Sequence, residues 1–374
     1  MNRINFHDLK QNRFYLIIVF CFCYGLSCFG QSADSSVQIK ISGYIDAYYA
    51  SYSDSAKAGN YQKFASVAPR SNAFGLNIAQ VTGQYNTSNL RATATFQVGD
   101  IPTAAWSATF NNVQEANIGA RIFPKFWIDA GFFKTHIGTE ALLPKDNIAS
   151  SVATITFFEP WYQSGIKLSY DVNAKCNVAL FIENGYNQFV PANRKKALGT
   201  VFNYTFNSKF SFGYYNFLGD NTPDSIKVTH LRFLNNFVFN YQLNDHFKIV
   251  LGIDYITQQH SQLADSAKSA VIYSGILTLN YKFNPRWGIY ARGDTYHDAD
   301  GFLSGTIIDA NNGKLTGYII SGLTLGAEWK PAANAFLRLE CRDLVADSGQ
   351  YLFYSAGTGT NKRFEIVTNA GIWF

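Results

Sequence analysis

The last thirteen residues, KRFEIVTNAGIWF at 362–374, decide the fold. Read back from Phe374, the residues Ile372, Ala370, Thr368, Ile366 and Phe364 share its side of an extended chain. Trp373, Gly371, Asn369, Val367, Glu365 and Arg363 share the other side. A strand sends successive side chains to opposite faces, so this one has an apolar face and a face carrying both charges. Such a strand sits between two media, one oily and one wet. Its closing aromatic also resembles the C-terminal signal read by outer-membrane barrel-assembly machinery.

The same alternation repeats towards the N-terminus, in segments of about 10 to 14 residues such as GYIISGLTLGAEWK, SAVIYSGILTLNYKF and VQIKISGYIDAYYA. About 16 such strands can be placed, an even number, as single-chain bacterial barrels have. Seven connections are tight and built from turn formers: NTSN at 86–89, FPK at 123–125, VNAK at 172–175, NSK at 207–209, LND at 243–245, NPR at 284–286 and PAAN at 331–334. The other eight are longer, roughly 9 to 21 residues, and read as polar. Short and long alternate without a break. That predicts an antiparallel up-and-down barrel with short periplasmic turns, long extracellular loops and both chain ends in the periplasm. Tyr170, Tyr241, Tyr281 and Trp329 each stand just before a tight turn on the apolar face, as an aromatic belt at one depth requires.

Composition agrees. Charged residues are 15% and aromatics 16% of 374 residues, and mean hydropathy is only −0.08. Beyond the N-terminus no run approaches the ~18 apolar residues of a spanning helix. Alternating faces cancel in the mean, which is how a membrane barrel comes to look neutral. Residues 1–30 read as a signal peptide: Arg3, Lys10 and Arg13, then the apolar FYLIIVFCFCYGL, then Gly30 before Gln31. A lipid-attached start at Cys28 is the rival reading. Residues 31–374 form the barrel. Cleavage removes three basic residues and Asp8, so the formal charge of +5 falls to about +3, too little to argue for nucleic acid. Cys176 and Cys341 remain, on strands far apart, and two cysteines make neither a disulfide scaffold nor a metal site.

The polar faces carry the candidate functional residues. Arg292 and Asp294 share one inner face, Arg338, Glu340 and Arg342 another, with Glu328, Arg363 and Glu365 on neighbouring strands. Glu115, Asp129, Lys167, Arg232, Lys248 and Asp254 also fall inward. A cation facing lipid at mid-membrane costs about 2–4 kcal/mol, which assigns these side chains to the lumen. A barrel of this size is too wide for side chains to fill, which predicts a charged aqueous channel. Arg338 and Arg342 are expected to influence ion selectivity.

Four stretches resemble the family of OmpL-like β-barrel porins of Gram-negative outer membranes: GYIDAYYA (43–50), AFGLNIAQ (73–80), VQEANIGARI with WIDAGFFKTHIGTE (113–122 and 127–140), and FFEPWYQSGIKLSYDVNAK (157–175). The likeness is good over about 40–190 and holds elsewhere as pattern. It implies a pore with largely unassigned substrates and offers no catalytic residue. In such proteins the loop opened here by Gly138, Thr139 and Glu140 folds into the lumen, which makes Glu140, Lys145 and Asp146 candidates for a constriction.

No nucleophile and base stand at a trustworthy spacing, so neither an enzyme nor a cofactor is expected. HDAD at 297–300 reads as a solvated acidic loop before it reads as a cation site. GTGTNK at 357–362 lacks the ending of a phosphate loop. Two functions stay open. One is passive diffusion of small hydrophilic solutes, in a membrane of outer-membrane lipid and with a homotrimer compatible with the sequence. The other is surface adhesion or a structural role through the loops. A narrow channel for hydrophobic substrates would want an apolar lumen, and the inner faces read as polar and charged.

Overall fold

The computed structural model describes residues 37–54, 59–355 and 357–374. The expected signal peptide, the Cys28 alternative and the cleavage position lie outside them.

Sixteen strands close into one antiparallel barrel, each paired with its sequence neighbours. They are β1 (Gln38–Tyr52), β2 (Ala73–Asn86), β3 (Leu90–Val98), β4 (Val113–Phe123), β5 (Phe126–Lys134), β6 (Tyr162–Asn173), β7 (Cys176–Glu183) and β8 (Ala197–Thr205). Then follow β9 (Phe210–Asp220), β10 (Leu231–Gln242), β11 (Phe247–Gln258), β12 (Ala270–Asn284), β13 (Trp287–Asp298), β14 (Tyr318–Trp329), β15 (Ala335–Ala346) and β16 (Lys362–Trp373). β16 pairs with β1 from Tyr44↔Trp373 to Tyr52↔Glu365, and Gly43 and Phe374 exchange two backbone bonds of 3.1 Å. The Phe374 ring lies where a Cβ on Gly43 would be, so only glycine lets the C-terminal aromatic fold flat on the outer wall. Closure leaves no unpaired edge, and an unpaired edge is what hydrocarbon does not tolerate.

All seven tight turns fall where the sequence puts them. The outward face of β16 is exposed at Phe364, Ile366, Ala370 and Ile372, while Arg363, Glu365, Val367 and Asn369 are buried inside. β14 repeats this, with Leu323, Leu325, Ala327 and Trp329 outward and Thr324 buried. Tyr170, Tyr241, Tyr281 and Trp329 are all exposed near the turn end, and Trp329 stacks on Trp287. No helix among the described residues is long and apolar enough to cross a membrane. Cys176 and Cys341 are both free.

The interior corrects two expectations. At least five of the long connections are not polar loops in water, because their apolar residues pack inside the barrel; Tyr186 and Phe189 of β7–β8 and Leu352 and Phe353 of β15–β16 are among them. The β1–β2 connection buries Phe64, Ala65, Val67 and Ala68. The β3–β4 connection carries α1 (Asp100–Ala105) and buries Ile101 and Trp106. The β5–β6 connection, 135–161, carries a 3-10 turn (Pro144–Asp146) and α2 (Thr154–Phe158) and buries Ile137, Leu143, Val152, Ala153 and Ile155. Secondly, the inner wall is not polar throughout. Phe217, Leu234, Ile256, Ile272 and Ile276 face inward and pack with Ile137, Ile155 and Tyr296. Ile320 and Leu344 pack with Phe64 and Phe353. Both corrections have one cause: apolar loop residues leave water by covering an apolar band of wall.

Candidate functional site

The 135–161 loop begins at the wall of β7–β9. His136 stacks on Phe181 with ring centroids 4.3 Å apart and lies over Gly199, where any side chain would collide with it. Its Nε2–H donates to the Asn216 carbonyl at 2.8 Å, and Nδ1 is 2.8 Å from the Gln163 amide. Burial lowers its pKa, against the two hydrogen bonds, which raise it. Two residues on, the Gly138 N–H donates to Asn236 Oδ1 of β10 at 3.3 Å, and Thr139 occupies the space left by Gly252 of β11.

The loop then crosses to β13–β16, where the inward charges hold it. Arg292 is fully buried. It donates to Glu140 Oε1 (2.8 Å), the Ser151 carbonyl (2.6 Å), Ser151 Oγ (2.9 Å) and Thr324 Oγ1 (3.1 Å). Glu340 accepts the Ser150 and Ser151 N–H groups at 2.8 and 3.1 Å and the Tyr290 hydroxyl at 2.9 Å. Arg338 donates to the carbonyls of Pro144, Asn147 and Ala149 and pairs with Glu328 at 2.7 Å. Asp294 accepts the Thr154 N–H at 3.0 Å and lies 3.6 Å from Arg342, which also faces Glu365 at 3.9 Å. Ser150 donates to Asn369 at 2.5 Å. Irregular backbone inside a barrel needs partners for every N–H and C=O, and these side chains supply them.

Of the expected constriction residues, Glu140 is therefore consumed by Arg292, the Ala153 N–H (2.6 Å) and the Thr156 hydroxyl (3.2 Å). Lys145 pairs with Asp146 at 2.8 Å and sits over the Tyr44 ring, and Asp146 remains exposed. Arg363 holds Glu365 at 2.6 Å and Asp54 of the first loop at 3.4 Å. Arg232 donates to Gln258 at 2.7 Å and lies over Tyr186, without a carboxylate partner among the described residues. Asp254 is fully buried and accepts from Asn236 at 2.8 Å. It faces Glu159 of the loop, whose two oxygens have no donor although the side chain is buried. Burial first, then the Asp254 and Glu140 charges, push the Glu159 carboxyl well above the usual carboxylate range. At HDAD, Asp298 accepts from the Leu303 and Ser304 N–H groups, ordering its own loop, and no group of three or more His, Cys, Asp or Glu stands together in a metal-holding arrangement among the described residues.

Below the loop, towards the tight turns, the charged wall is open. Asp129 of β5 is shared by Arg91 (2.5 Å) and Lys167 (3.5 Å), Glu328 by Arg338 and Lys330, and Lys248 and Lys282 of β11 and β12 face inward. The sequence places most of these on the inner face. It does not place the Arg292, Arg338 and Arg342 side chains beneath a loop, since their partners lie some 140 to 190 positions away. The first loop carries a signal of its own in the sequence, for FASVA at 64–68 has four apolar residues in five and is buried throughout.

A search of curated protein sequences returns no match. Solved structures do match. An anion-selective porin from Comamonas acidovorans aligns with TM-score 0.62 at 10% identity over 90% of this chain and all of its own. The outer membrane channel DcaP of Acinetobacter baumannii aligns with TM-score 0.61 at 11% identity, covering 93% and 100%. OmpT of Vibrio cholerae in a trimer form gives 0.52 at 12% identity, covering 91% and 100%. At these identities the likeness establishes the fold. The function comes with the family, for residues 38–374 match the one described as "Putative beta-barrel porin-2, OmpL-like", and the chain belongs to that family of outer-membrane porins.

Proposed function

We propose that small hydrophilic solutes diffuse passively through the part of the lumen that the inward-folded loops leave open, with the 135–161 loop setting the size limit. One observation carries this reading. A sixteen-stranded barrel is wider than its side chains can fill, and here several connections fold inward, among them the 135–161 loop tied across the lumen by Arg292, Arg338 and Glu340. Among the expected pore-lining residues, Arg232, Lys248 and Glu328 keep solvent access, whereas Arg292, Asp294, Arg338, Glu340, Arg342, Arg363, Glu365 and Asp254 are buried. Export through the N-terminal signal peptide and insertion by the barrel-assembly machinery, guided by the strand ending at Phe374, belong to the same proposal. So does a homotrimer, by analogy with the OmpT neighbour.

The refolded protein in a planar bilayer should give discrete current steps, and deleting 140–154 should enlarge them. A pure, folded barrel that never conducts would sink the reading. N-terminal sequencing of exported protein should begin at Gln31; a lipid-modified Cys28 would replace that assignment.

A further inference from the structure

In the turn-side half of the lumen, cations and acids are not placed alike. In three of the four pairs there, the cation is the partner that solvent reaches. Arg91 is 32% and Lys167 28% exposed, while the Asp129 they share is 2% exposed. Lys330 is 33% exposed against 15% for Glu328; the other partner of Glu328, Arg338, is 3% exposed and is the exception. Each of these acids is thus answered by two cations. Asp171, at the rim, is occupied by Asn177.

Across the lumen the asymmetry is greater. Lys248 pairs in register with Asn280, and Lys282 stands two residues along the same face of β12. This diagonal relation puts the two side-chain stems about 7–8 Å apart. Neither has a carboxylate partner among the described residues, and around them are the uncharged Gln242 and Asn280. A passing solute therefore meets ammonium and guanidinium groups on both sides, with amide donors between them. In the other half, Glu140, Asp294 and Glu365 are buried against the loop and their own arginines.

We infer that this porin prefers anions, small carboxylates and phosphates included, and that Lys248 and Lys282, rather than the arginines beneath the loop, select for them. The inference rests on the porin reading. Low-dielectric walls focus such a field, and salt screens it: the Debye length is about 10 Å at 0.1 M and about 3 Å at 1 M.

The test is the zero-current potential of the full-length protein in a planar bilayer under a KCl gradient. The native chain should show chloride more permeant than potassium at about 0.1 M, with the preference shrinking at about 1 M. The double variant Lys248→Gln, Lys282→Gln should lower the chloride-to-potassium ratio by about twofold or more, and Lys248→Arg, Lys282→Arg should retain it. Heat-modifiable gel mobility verifies that each variant is folded. A conducting channel that prefers potassium overturns the inference while leaving the porin reading standing. An unchanged ratio in the Gln variant overturns the assignment of the two lysines. Absence of current in the folded native protein overturns both.

Discussion

Replacing Arg292 by Met tests whether charge, rather than apolar packing, keeps the loop in the lumen. Arg292 makes four hydrogen bonds, three of them to Glu140 and Ser151 of the loop, and is fully buried. Removing one partner of a buried ion pair costs about 3–5 kcal/mol, because the other charge is left without compensation. The lower end applies here. Glu140 would keep the Ala153 N–H and the Thr156 hydroxyl, and Asp294 would keep Arg342 and the Thr154 N–H. At 1.4 kcal/mol per power of ten, a loss of about 3 kcal/mol is a change of roughly two powers of ten in the loop's docking equilibrium. Hydrogen exchange followed by mass spectrometry on loop peptides in detergent reads that equilibrium locally, while the β-ladders stay protected. Protection of 141–154 should fall by roughly a hundredfold, and Glu140→Gln in the same chain should recover more than half of the loss, since the orphaned charge is then gone. A change below about threefold, or no recovery in the double variant, would refute the reasoning and leave Val152, Ile155 and Phe158 as the anchors.

Three further expectations concern the same loop and the closing strand. Glu159 is held in its neutral form, so the docked loop loses stability as pH rises above the ordinary carboxyl value of 4.5, where the undocked loop ionises first. Conductance noise should thus grow between pH 5 and 8 in the native channel and become flat in Glu159→Gln; equal trends in both would remove Glu159 from the account. Gly252→Ala places a methyl on Thr139, which should cost about 1–3 kcal/mol of loop docking, and Thr139→Gly should restore the exchange protection. Gly43→Leu would displace the Phe374 ring and should slow or prevent closure between β1 and β16, visible as loss of the heat-modifiable gel band; normal folding would show that the ring has room elsewhere.

How much of this was written in the sequence follows from the range of the forces involved. The two-residue period of β16 and its neighbours, the alternation of tight turns with long connections, and the aromatics before the turns are local signals. They are enough for sixteen strands, their order, their facing and closure through Phe374. Facing, however, says only that Arg292, Arg338 and Glu340 point inward, not what they meet there. Glu340 finds the Ser150 N–H across 190 residues, and Arg338 finds Asn147 across 191. No periodicity encodes such a pairing, because it arises only when the closed wall offers unpaired charges to a loop whose own apolar residues are leaving water. The sequence by itself thus determined the barrel and the set of lumen-side charges. The tertiary structure alone decided which of those charges are taken up by the loop and which, Lys248 and Lys282 among them, are left facing the solute.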